Sequence, residues 1–594
     1  MSGNDETNTP ERIGGELLAQ MLAAEGVDTV FGIVDGTYLG FYTAFEKYGI
    51  RLISPRHETS AAHMAGAYAR STGRLGVCMA SNGPGAANIL PGVAVEAGEG
   101  NRVLLITSCR RTGIAYPERG GTFQYFDQVG VTAPMTKWSG AVHCAERLPE
   151  LARQAFRASW AGRPGVVHLD VPENIMNGPF VFAPDAVREP ASYRPTAPQA
   201  ADAAQVRAAA DLLRQADFPV IHAGSGIVHA DAAAELAKVA AALQAPMTCS
   251  WGARGVLDEA DPLSIPNSTL TAAKSARTRS DLFLVLGSRL GETDWWGRGH
   301  HWGGSAPDIA KRCIQVDIDS AIIGRNRPVD LPVVGDVKSF LQALSRELSE
   351  NPVPETVLAG RRQQVASLEE EKASIRAELD AALQNTGSPM HPAHVPAITR
   401  RVLGDDGLLA IDGGNTAVWC AHYYRNARPD AIHSTFKFGM LGAGVGQALG
   451  LKAAHPQRPV ACIIGDGAMG MHPQEIETAV REKLPVIYIV LCDRQWGMVK
   501  LTQQFGIGDL RANMGIQAEG TINTDFEEIR FDQLATAMGA LGERVDDPHA
   551  FEDVLQKLLA ADQPAVIHVD VEPTAHLFAP NLMEFKEMHG EPVG

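Results

Sequence analysis

Two aspartates carry the most specific chemistry this sequence offers. Asp466 sits in a Gly-Asp-Gly turn, Gly465–Gly467, and Asp493 follows after 25 intervening residues. ACIIGDG is a short apolar run stopped by glycine, HPQEIETAVREK reads as a helix, and LPVIYIVLC is a second buried run of β-branched residues. Together they form one strand–helix–strand unit. Its right-handed crossover brings the carboxy ends of both strands to the same sheet edge, where open α/β sheets bind ligands. Hard carboxylate oxygens at that edge suit Mg²⁺, which shares an octahedral shell with phosphate oxygens. Asp466 and Asp493 are expected as metal ligands, with the backbone carbonyl of Gln495 as a third. Gly465, Gly467 and the amides from Ala468 onward are expected against a diphosphate. The plainer alternative is that both aspartates cap helices.

The elements that must position these groups fall into three α/β blocks. The first, residues 10–181, alternates helix GGELLAQMLAAEG, strand TVFGIV, strand RLISP, helix TSAAHMAGAYARSTG and strand GVCMAS. A Pro- and Ala-rich linker covers residues 182–200. The second block, 203–350, carries strands in FPVIHAGSGI, LFLVLGSRL and CIQVDID, and the polar helical stretch RRQQVASLEEEKASIRAELDAALQ leads from it to the third, 390–575. A C-terminal tail, 576–594, follows. Alternating strands and helices predict an α/β protein of three doubly wound parallel-sheet domains. A formal charge of −17 argues against nucleic acid or an anionic membrane as partner. Eight cysteines without a CxxC pair suggest neither a disulfide framework nor zinc. The polar start MSGNDETNTPERIGG lacks the apolar stretch of a signal peptide, and no apolar run reaches membrane-spanning length, so a cytoplasmic location is expected.

At the GDG turn the chain resembles the thiamine-diphosphate (ThDP) enzymes, whose motif has GDG followed at a similar interval by Asn. PRHETSAAHMAGAYARSTGRLGVCMASNGPGAAN, Pro55 to Asn88, is similar to their acetolactate (acetohydroxyacid) synthase branch. The resemblance implies three domains (pyrimidine-binding, middle and diphosphate-binding) and gives Glu58 the activating role. A carboxyl bonded to N1′ of the aminopyrimidine shuttles the proton that the imino form requires. Because family members bind the cofactor between subunits, it also implies a homo-oligomer, a dimer at least and a tetramer by analogy. GGTFQYFDQ, Gly120 to Gln128, resembles the active-site loop, with Phe123 and Gln124 facing substrate, and PMTKWS sets Lys137 near the substrate entrance. An ordinary surface loop with a salt-bridging lysine is the alternative for both. IDGGNTAVW resembles a diphosphate turn and nominates Asn415 and Thr416, while FGMLGAGVGQALG puts Leu441 where a bulky side chain wedges between the cofactor's rings. Gly497 and Met498, after the metal site, match as well.

Departures from the family leave the substrate open. Asp493 stands where Asn is usual and adds a negative charge beside the diphosphate. Thr502 replaces a bulky aromatic, and DLRANMGIQAEGTINTDFEEIRFD is long enough to reshape a lid over the cofactor. In the middle block, Gly224-Ser-Gly226 lacks the third glycine of a dinucleotide fingerprint and could serve only as a tight turn. IQVDID could hold a ribose or cap a helix. LGSRLGETDWWGRGHHWGG is unlike the flavin-proximal sequence of synthases although it keeps Arg289, so FAD or ADP is possible in that domain. The expected activity is decarboxylation of a 2-keto acid such as pyruvate and carboligation to a second carbonyl. The alternatives are another 2-keto acid decarboxylase and a lyase for 2-hydroxyacyl-CoA, for which Arg254, Arg298 and Arg325 are candidate phosphate partners. A non-catalytic nucleotide-binding paralogue is the third, and retention of Glu58 with the GDG constellation counts against it.

Overall fold

The computed structural model describes residues 10–303 and 311–587; residues 1–9 of the polar N-terminal stretch, Gly304 of the Trp-rich stretch and the tail from 588 on lie outside the described residues. The chain divides into two compact units. The first takes the described residues up to Ala197 together with Val445–Pro456 and Gln474–Leu484, and the second takes the remainder.

The first unit is built on a six-stranded sheet in the order Arg51–Ile53, Thr29–Gly32, Gly76–Ala80, Val103–Cys109, Val166–Pro172, Trp138–Ala141, every pair parallel. The central strands are buried along their whole length, which is why they read as unbroken apolar runs rather than alternating ones. Winding reverses between Thr29–Gly32 and Gly76–Ala80, so the ligand-prone crevice lies at the carboxy ends of these strands. Helices Glu58–Thr72 and Pro84–Glu99 pack so closely that a Cβ on Gly66 would stand 1.7 Å from the Glu96 carboxylate. Helix Glu475–Arg481 belongs to this unit too. The buried Glu475 carboxylate accepts the amides of Arg56 at 3.0 Å and His57 at 3.1 Å, which fixes the turn just before Glu58.

The second unit holds two parallel sheets. One has five strands, in the order Met247–Cys249, Pro219–Ala223, Leu282–Leu286, Arg312–Asp317, Leu331–Val334. The other has six, in the order Ile432–His433, Leu408–Asp412, Val460–Gly465, Val486–Cys492, Ala565–Asp570, Leu541–Val545. The polar helical stretch begins earlier than its composition suggests, at Glu355, and runs to Asp380. Its Arg361 is fully buried and donates to the carbonyls of Leu213, Ala216 and Leu243.

The segment expected as a lid differs from its sequence reading. Gly497–Asn513 is one continuous helix that carries Thr502 on an exposed face, its hydroxyl donating to the Met498 carbonyl at 2.9 Å and accepting from Lys586 at 2.7 Å. The irregular chain beyond it returns to pair with the turn after Asp493: Trp496 N–H donates to Thr524 and Phe526 N–H to the Arg494 carbonyl, each at 2.8 Å. It is a clasp on the turn. Among the described residues no helix is long and apolar enough to cross a membrane.

Candidate active site

The six-stranded sheet of the second unit reverses its winding between Leu408–Asp412 and Val460–Gly465, and the acidic pair lies at that edge. Asp466 opens the short helix Asp466–Met469 and is buried. Its Oδ1 accepts the amide of Gly467 and its Oδ2 the amide of Arg494, both at 2.7 Å. The second bond needs a sharp turn after Asp493, and Arg494 makes it at φ 57°, in the left-handed region. Asp493 is also buried, and its Oδ2 accepts from His576 Nδ1 at 2.6 Å and from Gln495 Nε2 at 3.0 Å. Burial, and after it the charge of Asp493, push the Asp466 carboxyl up from 3.8 to about 6. The N-cap positions of the two helices that follow belong to Gly465 and Trp496, so neither aspartate serves as a cap residue. Two buried carboxylates therefore sit together at one sheet edge. The clasp runs through the Arg494 carbonyl and the Trp496 amide, so it does not consume the Gln495 carbonyl.

Beside the pair opens a cavity of about 510 Å³, of the size that cofactors occupy. Every residue nominated for the cofactor borders it. Asn415 and Thr416 come from the first turn of helix Gly414–Tyr423, and Leu441, half-buried, from the loop before the next helix. Gly465, Gly467 and Ala468 come from the Asp466 turn, and Gln495, Gly497 and Met498 from the turn after Asp493. The glycines allow close approach. A Cβ on Gly467 would stand 2.6 Å from the Trp496 ring, and one on Gly497 2.6 Å from Asn415 Nδ2. Gly413, the N-cap of helix Gly414–Tyr423, has φ 105°, which only glycine adopts freely. Asn415 Nδ2 donates to the carbonyls of His576 and Leu577, whereas its buried Oδ1 has no hydrogen-bond partner among the described residues and so suits a donor such as cation-bound water. Asp412 Oδ2 accepts the Gly444 amide at 2.7 Å and ties the next helix to the strand end.

Thr502 is not among the residues bordering this cavity, which reaches only to Val499 along that helix. Thr502, three residues further on an exposed face, does not line it.

In the first unit the switch-point edge gathers a different set. Glu58 is the first residue of its helix, half-buried, with Oε2 accepting from Asn88 Nδ2 at 3.1 Å. Gln124 lies over the turn after strand Gly76–Ala80: its carbonyl accepts from Asn82 Nδ2 at 2.9 Å. Its own backbone is at φ 56°, and its side chain and that of Phe123, 74% exposed, face outward. The turn rests on a buried polar network. Gln128 Oε1 accepts the Gly83 amide at 3.0 Å, and Gln128 Nε2 donates to Asp170 at 2.7 Å. Thr107 bonds both Asp170 Oδ1 at 2.5 Å and His168 at 2.7 Å. Lys137 does not join this set. It precedes strand Trp138–Ala141, its amide pairs with the Val166 carbonyl at the amino end of the neighbouring strand, and its Nζ donates to the Ala161 carbonyl at 2.5 Å. That is the opposite edge of the sheet from Glu58. Its observed contact is with the end of helix Leu148–Trp160, not a substrate entrance.

The middle sheet answers its open questions plainly. Cβ atoms on Gly224 and Gly226 would stand 2.3 Å from the Gly287 carbonyl oxygen and 2.7 Å from Gly287 Cα, so these glycines let two turns meet backbone to backbone. The carboxylates of Asp317 and Asp319 accept the amides two residues on. Asp294 occupies the strand ends, accepting from Ser250 at 2.7 Å and Ser288 at 3.3 Å. These contacts are all internal to the protein. Arg254 is buried in a two-bond ion pair with Glu259, at 2.7 and 2.9 Å, which removes one of the three residues nominated for a CoA phosphate, while Arg298 is exposed and bonds the Asn326 carbonyl through Nε. His576 was invisible in the sequence. It stands alone in EPTAHLFAP, one residue past the expected end of the third block, and no spacing links it to Asp493.

Comparison with known proteins agrees with this geometry. Residues 12–131 match the N-terminal TPP-binding domain of thiamine pyrophosphate enzymes, residues 206–344 their central domain and residues 412–569 their C-terminal TPP-binding domain. The chain is 30% identical over 578 residues to an acetolactate synthase of Mycobacterium bovis, covering 95% of this chain and 89% of the relative. It is 29% identical over 580 residues to the acetolactate synthase large subunit of Haemophilus influenzae, covering 95% of each. It is 27% identical over 577 residues to a probable acetolactate synthase large subunit of Methanococcus aeolicus, covering 95% of this chain and 93% of the relative. The chain belongs to the thiamine pyrophosphate enzymes, in the branch that resembles acetolactate synthase.

The buried network under Gln124 makes a pH test. Burial lowers His168 from 6.5 to about 3, so the folded chain binds that proton less tightly than the unfolded one and stability rises with pH from about 3 to 6.5. Burial raises Asp170 from 3.8 to about 6, so its contribution has the opposite sign and is lost as pH rises through that window. The two oppose each other between pH 4 and 6. Asp170→Asn should therefore steepen the gain in stability across that window by up to about 1.4 kcal/mol per pH unit relative to wild type. Urea midpoints at pH 4.5 and 6 measure this, and parallel profiles for the two proteins would contradict it.

Proposed function

We propose that this enzyme uses thiamine diphosphate and Mg²⁺ to decarboxylate a 2-keto acid of pyruvate type and join the remaining acyl unit to a second carbonyl compound. The observation that carries the reading is the buried Asp466–Asp493 pair beside a cavity of about 510 Å³. Two adjacent buried carboxylates suit a divalent cation that shares its shell with phosphate oxygens. Asp466, Asp493 and the Gln495 carbonyl would hold the cation, and the amides opening helices Gly414–Tyr423 and Asp466–Met469 would meet phosphate oxygens. Bound thiamine diphosphate supplies the electron sink that stabilises the carbanion left when CO₂ departs. Leu441 would prop the cofactor's two rings in a bent conformation by bulk alone. Glu58 would hold and move a proton at N1′ of the aminopyrimidine, and Gln124 would donate to a substrate oxygen if its loop turned inward. We further propose a homo-oligomer, at least a dimer and by resemblance a tetramer, with a partner subunit supplying the Glu58 edge. Phe438 and Val499, 50% and 51% exposed on the cavity rim, support a covering partner. The cleavage of a 2-hydroxyacyl-CoA is disfavoured by the internal pairing of Arg254.

Glu58→Gln tests the activation step. The variant keeps the shape and a hydrogen-bonding group but cannot carry the proton. It should bind thiamine diphosphate as wild type does while hydrogen–deuterium exchange at C2 of the bound cofactor slows roughly a hundredfold or more. Exchange at the wild-type rate would remove Glu58 from the mechanism.

A further inference from the structure

The family's metal ligand at position 493 is an amide, and this chain places a carboxylate there; the structure shows what accompanies the exchange. An Asn offers one oxygen to the cation and turns its NH₂ toward the protein, so its neighbours there must accept. An Asp has two acceptor oxygens and needs donors on the side away from the cation. Asp493 Oδ2 has two such donors, His576 Nδ1 at 2.6 Å and Gln495 Nε2 at 3.0 Å. His576 is buried, and on its far side Nε2 lies 3.4 Å from the Thr416 hydroxyl, within reach of accepting from it. Its backbone is fixed as well. The short helix Pro573–Leu577 is capped by Glu572, and the His576 carbonyl accepts from Asn415 Nδ2 at 3.2 Å and Trp419 Nε1 at 3.1 Å.

We infer that His576 is a positioning residue for the metal site: it occupies Oδ2 of Asp493, so the carboxylate binds the cation through Oδ1 alone, as an asparagine would. Mg²⁺ favours single-oxygen ligands in a compact octahedron, and a carboxylate free to swing both oxygens inward fits it poorly. Two donors on one oxygen also draw off part of the extra negative charge that would face the diphosphate. The same geometry makes Asp493→Asn unfavourable in this chain, because the amide NH₂ would meet the His576 and Gln495 donors. Asp493 and His576 form one unit and must be exchanged together.

This inference rests on the reading of Asp466 and Asp493 as a metal site. The test is a double-mutant cycle on full-length protein, reading the Mg²⁺ dissociation constant at saturating thiamine diphosphate by calorimetric titration. With Asp493 in place, His576→Ala should weaken Mg²⁺ binding roughly ten- to a hundredfold. His576→Asn, which can still donate to Oδ2, should stay within about threefold of wild type and guards against a purely structural loss. With Asp493→Asn already present, His576→Ala should not weaken binding and should restore part of what the asparagine lost, because it removes one of the two donors that meet the amide NH₂. Equal, additive effects in the two backgrounds, or a loss in His576→Asn as large as in His576→Ala, would overturn the positioning role. An unchanged Mg²⁺ constant in Asp466→Ala would instead overturn the metal-site reading beneath it.

Discussion

Two like charges buried at one sheet edge are the constraint from which the rest of the site follows. Strands Val460–Gly465 and Val486–Cys492 are hydrogen-bonded neighbours in parallel register, so whatever follows their last residues must share the same small volume. Here both continue into aspartate, and the carboxyl of Asp466 is pushed up to about 6 by burial and by its neighbour. A fold keeps such a pair only if something relieves it. The local answer is hydrogen bonding: backbone amides on Asp466, side-chain donors on Asp493. On the proposed reading, the remaining relief would come from a cation, which would also let a diphosphate enter an acidic protein.

That arrangement organises elements far apart in the chain. The left-handed turn at Arg494 exists so that its amide can reach Asp466, and the returning segment 524–526 clasps that turn from outside. His576 reaches Asp493 with its ring while its carbonyl holds Asn415 and Trp419. The first unit follows the same topological rule on its own sheet. Winding reverses beside Gly76–Ala80, and Glu58, the Asn82–Gly83 turn and Gln124 collect at that edge above a buried network of Thr107, Gln128, His168 and Asp170.

What could be read from the sequence was whatever depends on local pattern. The strands appeared as apolar runs because helices cover both sheet faces, and the GDG turn with Asp493 was legible because one crossover fixes both ends of that unit. The residues nominated for the cofactor around Asn415, Leu441 and Gly497 came from resemblance to a family, and all of them border one cavity. Long-range pairings were illegible. Nothing local connects His576 to a carboxylate 83 residues earlier. Lys137 was misplaced because its motif gives no sign of which strand end it faces, and only the pairing with Val166 sets it at the amino edge. Thr502 lies outside the cavity lining because helix Gly497–Asn513 continues without a break and carries that position on an exposed face.

The central claim is that the aspartate pair is a cation site on which diphosphate binding depends. Calorimetric titration of chelator-stripped enzyme with thiamine diphosphate, with and without millimolar Mg²⁺, tests it most directly. The account predicts saturable binding with Mg²⁺ and an affinity at least a hundredfold weaker, or no detectable binding, without it. Binding of equal strength in the presence of chelator would contradict it.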